Sequence, residues 1–219
     1  MKEKFSRKEI IENLKNHLLP CFHDLNEFDI QFSENELHIE MLDEIAPNFF
    51  LQLNRMYFDR FILAISRLLD PAKQSSFENL SMFQLIKIAE ESNYEQIEEL
   101  KQKLESIKFK SHDIIKLRSK YIAHRNLNHS INNDLNVETI EFDKIKEIFV
   151  EMSNCLNSIE AHLGLDKTSF IWMRDFDGTL SLLKHLKNAL IYREMRIASN
   201  DWNEDENRAS KTKFYKLDV

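Results

Sequence analysis

The sequence predicts an all-α protein built as a helical bundle. Two observations carry this. The chain holds Gly 2 and Pro 3 among 219 residues, whereas the tight turns of a sheet protein draw on both for a positive or preset φ. Long segments also place apolar residues at helical spacing, as in Phe50, Leu53, Tyr57, Phe61, Ala64 and Leu68, which is the pattern of a buried helix face.

Taken in chain order, Ser6 is an N-cap, and Glu9 three residues on completes a capping box. The helix that follows carries Ile10, Ile11, Leu14 and Leu18 and is expected to stop before Pro20. Residues 25–42 give a weaker pattern. Phe28 to Phe32 alternates as a strand does, but a lone strand has no partner, so short helix or loop is expected. From about Pro47 to Leu69 the apolar stripe is broad, with Phe49, Met56, Ile62, Ile65 and Leu69 widening it, as at the centre of a bundle. Asp70-Pro71 ends that helix. A polar link follows, and Ser81 is expected to cap a helix bearing Phe83, Leu85, Ile86 and Ile88. Asn93 opens a charged helix with a narrow stripe of Ile97, Leu100, Leu104 and Ile107. Ser111 or Asp113 opens another. Residues 126–139 are rich in amides and read as loop. Phe142 to Leu163 is a long helix, and Gly164 is its C′ residue. A last helix spans about Gly178 to Ile197. Residues 1–200 read as a single helical domain, and 201–219 as a polar, loosely ordered tail.

Composition excludes several function classes. Two glycines cannot build a phosphate loop or a dinucleotide fingerprint. No apolar run approaches the ~18 residues that span a bilayer, so no membrane partner is expected. Cys21 and Cys155 read as buried free thiols of a cytoplasmic protein. No histidine has a glutamate three residues before it and no H-E-x-x-H is present, so no metal and no cofactor are expected. The net charge of -7 argues against a general nucleic-acid coat. Yet Lys108, Lys110, Lys116, Arg118, Lys120 and Arg125 fall in one stretch with a single acid, Asp113, a pattern that draws a polyanion locally.

The stretch Leu117-Arg118-Ser119-Lys120-Tyr121-Ile122-Ala123-His124-Arg125-Asn126 carries the strongest chemical signal. An arginine presents a planar fork of donors that suits phosphate. A histidine moves protons near neutral pH. At ~100° per residue, Arg118 falls in line with Ile115 and Ile122, and His124 continues the line of Ile114, Leu117 and Tyr121. Both are thus expected to be half buried, in a cleft or against another subunit. Arg118 and His124 stand ~120° apart around a helix, a gap narrowed by the reach of arginine and closed if a two-fold axis brings two copies together. Spacing alone fits better a satisfied core histidine and an arginine reaching to a helix end.

The run from Arg118 to His124 resembles the signature of the HEPN superfamily, an arginine and a histidine with four to six residues between; here five intervene. Ile65-Ser66-Arg67-Leu68-Leu69-Asp70-Pro71 and Asn79-Leu80-Ser81-Met82, in that order upstream, are similar to its abortive-infection AbiU-like branch. The resemblance covers about residues 45–165. It implies a core of four to five long helices, with extra helices at both ends of the chain, that dimerises and cuts RNA without metal. Arg118 and His124 carry over as the catalytic pair. Ser119 keeps polarity where the family commonly has Asn, Asp or His, and Asn126 stands where another branch has a modifiable tyrosine.

The reading that follows is a metal-independent endoribonuclease of the toxin or anti-phage defence type. Its expected catalytic residues are Arg118 and His124, and its expected substrate contacts are Ser119, Lys120, Arg125 and Asn126. Its expected partners are RNA, a second copy of the chain and, in the toxin case, an antitoxin protein. Two rivals stay open: a catalytically silent module that binds RNA or nucleotides, and a helical interaction protein whose arginine and histidine only build a dimer interface.

Overall fold

A computed structural model describes residues 5–33, 35–119, 140–170 and 178–199. Among them the chain is all-α apart from one small hairpin. The elements are α1 (Arg7–Phe32), α2 (Glu36–Ile45), α3 (Pro47–Leu68), β1 (Lys73–Gln74), β2 (Phe77–Glu78), α4 (Gln84–Glu91), α5 (Ile97–Lys110), α6 (His112–Leu117), α7 (Phe142–His162) and α8 (Thr179–Ser199). The chain divides into two compact units. One comprises Met1–Asp29 and Leu51–Arg174, the other Ile30–Phe50 and Asp175–Val219.

The capping box at the start of α1 is formed. The backbone N–H of Ser6 donates to Glu9 Oε2 at 2.7 Å, and the N–H of Glu9 donates to Ser6 Oγ at 3.2 Å. The helix does not stop before Pro20, as its sequence suggests, but runs on to Phe32 with the proline inside it. Proline removes one helical hydrogen bond and crowds the preceding turn. Burial of Cys21, Phe22, Leu25 and Phe28 just beyond it outweighs that loss. The uncertain stretch 25–42 therefore resolves into the end of α1 and into α2, which is capped by Asn35 accepting from the N–H of Leu37 at 2.9 Å.

The core of the first unit is aromatic. Phe28 of α1 meets Phe58 edge-on at 5.3 Å, Phe61 at 6.1 Å and Phe142 at 4.4 Å. Phe61 of α3 and Phe22 of α1 both reach Phe149 of α7 at 6.3 Å. Phe61 and Phe149 are fully buried, and Leu14, Leu18, Ile65, Leu85, Leu104, Ile114, Ile148, Met152 and Leu156 complete the core. α5 packs against α7 and α4, and α6 against α5. Phe22, Phe28, Phe50, Phe61 and Phe149 are thus core, whereas Phe49 and Met56, expected on the buried stripe of α3, are exposed.

The α3–α4 connection departs from the expected plain link. Residues 73–78 form a two-stranded hairpin, with Lys73 opposite Glu78 and Ser75 at φ 55°. Ser81 does not cap α4 through its hydroxyl. That helix starts at Gln84, whose N–H donates to the backbone carbonyl of Ser81 at 3.0 Å. Gln84 is itself buried and ties the loop down, its side-chain amide donating to the carbonyls of Ala72 at 3.1 Å and Asn79 at 2.9 Å. Asn93 takes a left-handed φ of 54°, so α5 begins later than its sequence suggests, at Ile97.

α7 ends as expected. Gly164 has φ +67°, its N–H donates to Ala161 O at 3.2 Å, and that of Leu165 to Glu160 O at 2.9 Å. Fully buried Glu160 accepts from the backbone N–H and the hydroxyl of Thr168, both at 2.9 Å, with Lys15 at 3.5 Å. In the second unit α8 packs on α2, and Gln31 donates to Thr179 Oγ1 at 2.7 Å. No described helix is long and apolar enough to cross a membrane.

Phe149→Ala is expected to destabilise the protein by about 3–5 kcal/mol, since it empties the junction of α1, α3 and α7, while Phe109→Ala on the surface stays within about 0.5 kcal/mol. Urea denaturation followed by circular dichroism measures both.

Candidate active site

Arg118 follows directly on α6. Ser111, where α5 gives way to α6, is buried and donates its hydroxyl to Ile107 O at 2.8 Å. Ile114, fully buried, pins the short helix to the core. Arg118 and Ser119 then enter a wider π turn, a rare conformation frequent at functional sites. Lys120, His124, Arg125 and Asn126 lie outside the described residues.

The guanidinium of Arg118 faces Asp70. Arg118 Nη1 and Asp70 Oδ1 stand 3.7 Å apart, and the two side chains are 34% and 35% exposed. Half burial of this arginine is what its position between two isoleucines predicts. The distance exceeds hydrogen-bonding range, so Asp70 holds Arg118 by charge alone and leaves its donor fork open to a ligand. An ion pair this exposed contributes at most about 1 kcal/mol to stability. Ser119 is exposed, and its hydroxyl turns back toward Ile115 O at 3.4 Å, the local bond that serine makes along a helix.

Asp70 is the residue that sequence reasoning missed. It reads as a helix-end residue before Pro71, and nothing in its local pattern names a partner 48 positions away. The fold positions it tightly. Its N–H donates to Arg67 O at 3.3 Å, Asn79 Nδ2 donates to Pro71 O at 2.9 Å, and the N–H of Met82 donates to Leu68 O at 2.8 Å. The hairpin thereby folds back on the end of α3 and fixes the turn that carries the carboxylate.

The basic stretch is weaker than its sequence suggests. Lys110 is drawn to Glu147 at 2.8 Å and Glu151 at 2.6 Å, and those hydrogen bonds push its pKa up and lower that of Glu147. Lys108 lies over the Phe83 ring at 5.1 Å. Asp113 takes Lys144 at 3.6 Å. Among the described cations of this stretch, Lys116 and Arg118 are thus held by no hydrogen bond to a carboxylate and over no ring, Arg118 being loosely matched by Asp70.

Beside Asp70, α1 and α3 enclose a groove of about 740 Å³. Its lining includes His17, Asp59, Arg60, Arg67 and Asp70. Arg60 is bound to Asp24 at 2.5 Å. Burial raises the Asp59 carboxyl, and it also raises that of Asp24 against the opposing pull of Arg60. Cys21 lines the same groove as a buried thiol. Among the described residues no group of three or more His, Cys, Asp or Glu is placed to hold a metal ion.

Burial pushes the Cys21 thiol up to about 12 and that of Cys155 to about 11. Unfolded thiols ionise near ~8.5, so the stabilising effect of keeping them neutral is complete below that pH and is lost as pH rises toward the native values. At pH 8 a thiol reagent such as Ellman's is expected to label neither cysteine in the native chain and both after denaturation. Prompt labelling of the native chain contradicts the burial.

The sequence profile of the HEPN_AbiU2 family (AbiU2) matches residues 7–175. No curated protein and no solved structure matches the chain.

Proposed function

From the chain's membership of the AbiU2 family of HEPN domains, we propose that it is a metal-independent endoribonuclease of the toxin or abortive-infection type. The observation that carries this reading is Arg118. It is a half-exposed guanidinium at a helix end, matched by a carboxylate at 3.7 Å yet not hydrogen-bonded to it. A phosphate offers the same charge as Asp70 and a geometry that an arginine fork grips at two points.

In the reaction His124, neutral, accepts the proton of a ribose 2′-hydroxyl. The oxygen attacks the adjacent phosphorus. Arg118 holds the equatorial oxygens, on which charge grows in the transition state. The bond to the 5′ oxygen breaks, and that oxygen takes a proton from the second His124 of a dimer. The products are a cyclic 2′,3′-phosphate and a free 5′-hydroxyl. DNA lacks the attacking group and stays intact. Lys120, Arg125 and Asn126 follow on in the same segment and contribute substrate contacts, with Ser119 at its start. The reaction takes place in the cytoplasm, between two copies of the chain, and in the toxin case an antitoxin protein restrains it. The catalytic core comprises about residues 45–165.

The Asp70 pair also supplies the second reading. A module that uses Arg118 to hold α6 against the end of α3, and binds RNA or a partner without cutting, has the same contact. Substitution separates the two. His124→Ala is expected to lower RNA cleavage by roughly 10²–10⁴-fold, the usual worth of a general base, and Arg118→Ala by roughly 10²–10³-fold. Melting temperature and dimerisation stay nearly unchanged in both, and EDTA leaves the rate unaltered. Unfolding or monomerisation on either substitution favours the structural role, and RNA that binds but is never shortened favours the silent module.

A further inference from the structure

The groove between α1 and α3 stands outside the Arg118 site but shares Asp70 with it. Three of its properties point to one class of ligand. Its volume, about 740 Å³, lies in the range of small-molecule sites, roughly 300–1,000 Å³. Met56, Leu63 and Leu80 give it an apolar wall, and Met56 is exposed although it is large and hydrophobic. The third property is the state of its arginines. Arg60 is engaged by Asp24. Arg67 is exposed, and no described side chain pairs with it. It stands one helical turn before Asp70, the acid that faces Arg118. An apolar wall for a flat ring, with a free guanidinium beside it, suits a nucleotide. The carboxylate of Asp59 in the same groove opposes a bare anion but accepts from the amino group of a base.

We infer that this groove is the subsite for a nucleotide flanking the scissile phosphate of single-stranded RNA, with its base against Met56, Leu63 and Leu80 and its phosphate on Arg67. The inference rests on the ribonuclease reading for the word scissile, and on the groove alone for the binding. Asp70 links the two: a strand whose phosphate lies on Arg67 passes Asp70 to reach Arg118.

The test uses the full chain and a short fluorescein-labelled 2′-O-methyl RNA, which binds but cannot be cleaved, read by fluorescence anisotropy. Arg67→Glu is expected to weaken binding on the order of tenfold, the worth of a hydrogen bond to a charged group. Arg67→Ala is expected to lower the slope of log affinity against log salt by about 0.7, the signature of one phosphate contact on a single strand. Arg55→Glu, on the same helix but outside the groove, serves as the control and changes little. Equal losses for Arg55→Glu and Arg67→Glu mean a general charge effect and overturn the subsite, as does binding unchanged in Arg67→Glu. Mononucleotide bound as tightly as the oligomer, and sensitive to Arg67, overturns the flanking assignment. Cleavage of unmodified RNA is measured in parallel. If Arg118→Ala abolishes it while Arg67→Glu binds normally, the subsite fails and the enzyme stands. If RNA is never cut yet Arg67→Glu loses binding, the subsite stands as an RNA site and the enzyme reading fails.

Discussion

The structure of the first unit depends on one aromatic junction. Phe28, Phe61 and Phe149 come from α1, α3 and α7 and meet at 6.1 Å and 6.3 Å through Phe61. Edge-to-face pairs of this kind add about 0.5–1.5 kcal/mol each beyond their burial, and burial of the rings themselves is larger still. This junction explains why α1 survives Pro20. Ending the helix there would withdraw Phe22 and Phe28 from their partners, a greater loss than one hydrogen bond. It also fixes the far end of α3. With Phe61, Ile65 and Leu68 buried on one side, the helix cannot rotate, and Asp70 is carried to a set place. The polar site is thus an output of an apolar constraint two turns away.

Those relations mark the limit of what was legible in the sequence. Features fixed by a few neighbouring residues were plain: the Ser6–Glu9 box, the end of α3 at Asp70-Pro71, Gly164 as a left-handed stop and the stripes of α5 and α7. Features fixed by distant contacts were not. Pro20 reads as a stop because local rules see the missing N–H and not the rings of α3 and α7. Ser81 reads as a cap because its hydroxyl suits one, yet the loop is anchored instead by Gln84, a residue with no capping signature. Arg118 was legible as half buried from its place between isoleucines. Its partner was not, because a charge pair across 48 positions leaves no periodic trace. Lys110 shows the same limit from the other side, since Glu147 and Glu151 stand one turn apart on α7 and were unremarkable until α5 packed against them.

The contrast between Lys110 and Arg118 bears on function. Both are cations in one short stretch. Lys110 makes two hydrogen bonds to carboxylates, at 2.8 Å and 2.6 Å, and a polyanion would have to displace both. Arg118 makes none to Asp70 at 3.7 Å. In a chain of net charge -7, the attraction of RNA that the ribonuclease proposal requires has to be focal. A loosely matched guanidinium is the group whose exchange of partner costs least. Screening follows from the same point: exposed charges interact over a Debye length of ~8 Å at physiological salt, so a site of this kind works at contact and not by long-range steering.

Asp70 is then more than a counter-charge. A guanidinium with no partner at a half-buried helix end samples many rotamers, and ordering it around a bound phosphate, as the proposed reaction would require, carries an entropy penalty of up to ~2 kcal/mol for so long a side chain. A carboxylate at 3.7 Å restrains the arginine in advance without saturating its donors. A shorter, two-point bond would hold it better but would compete directly with phosphate.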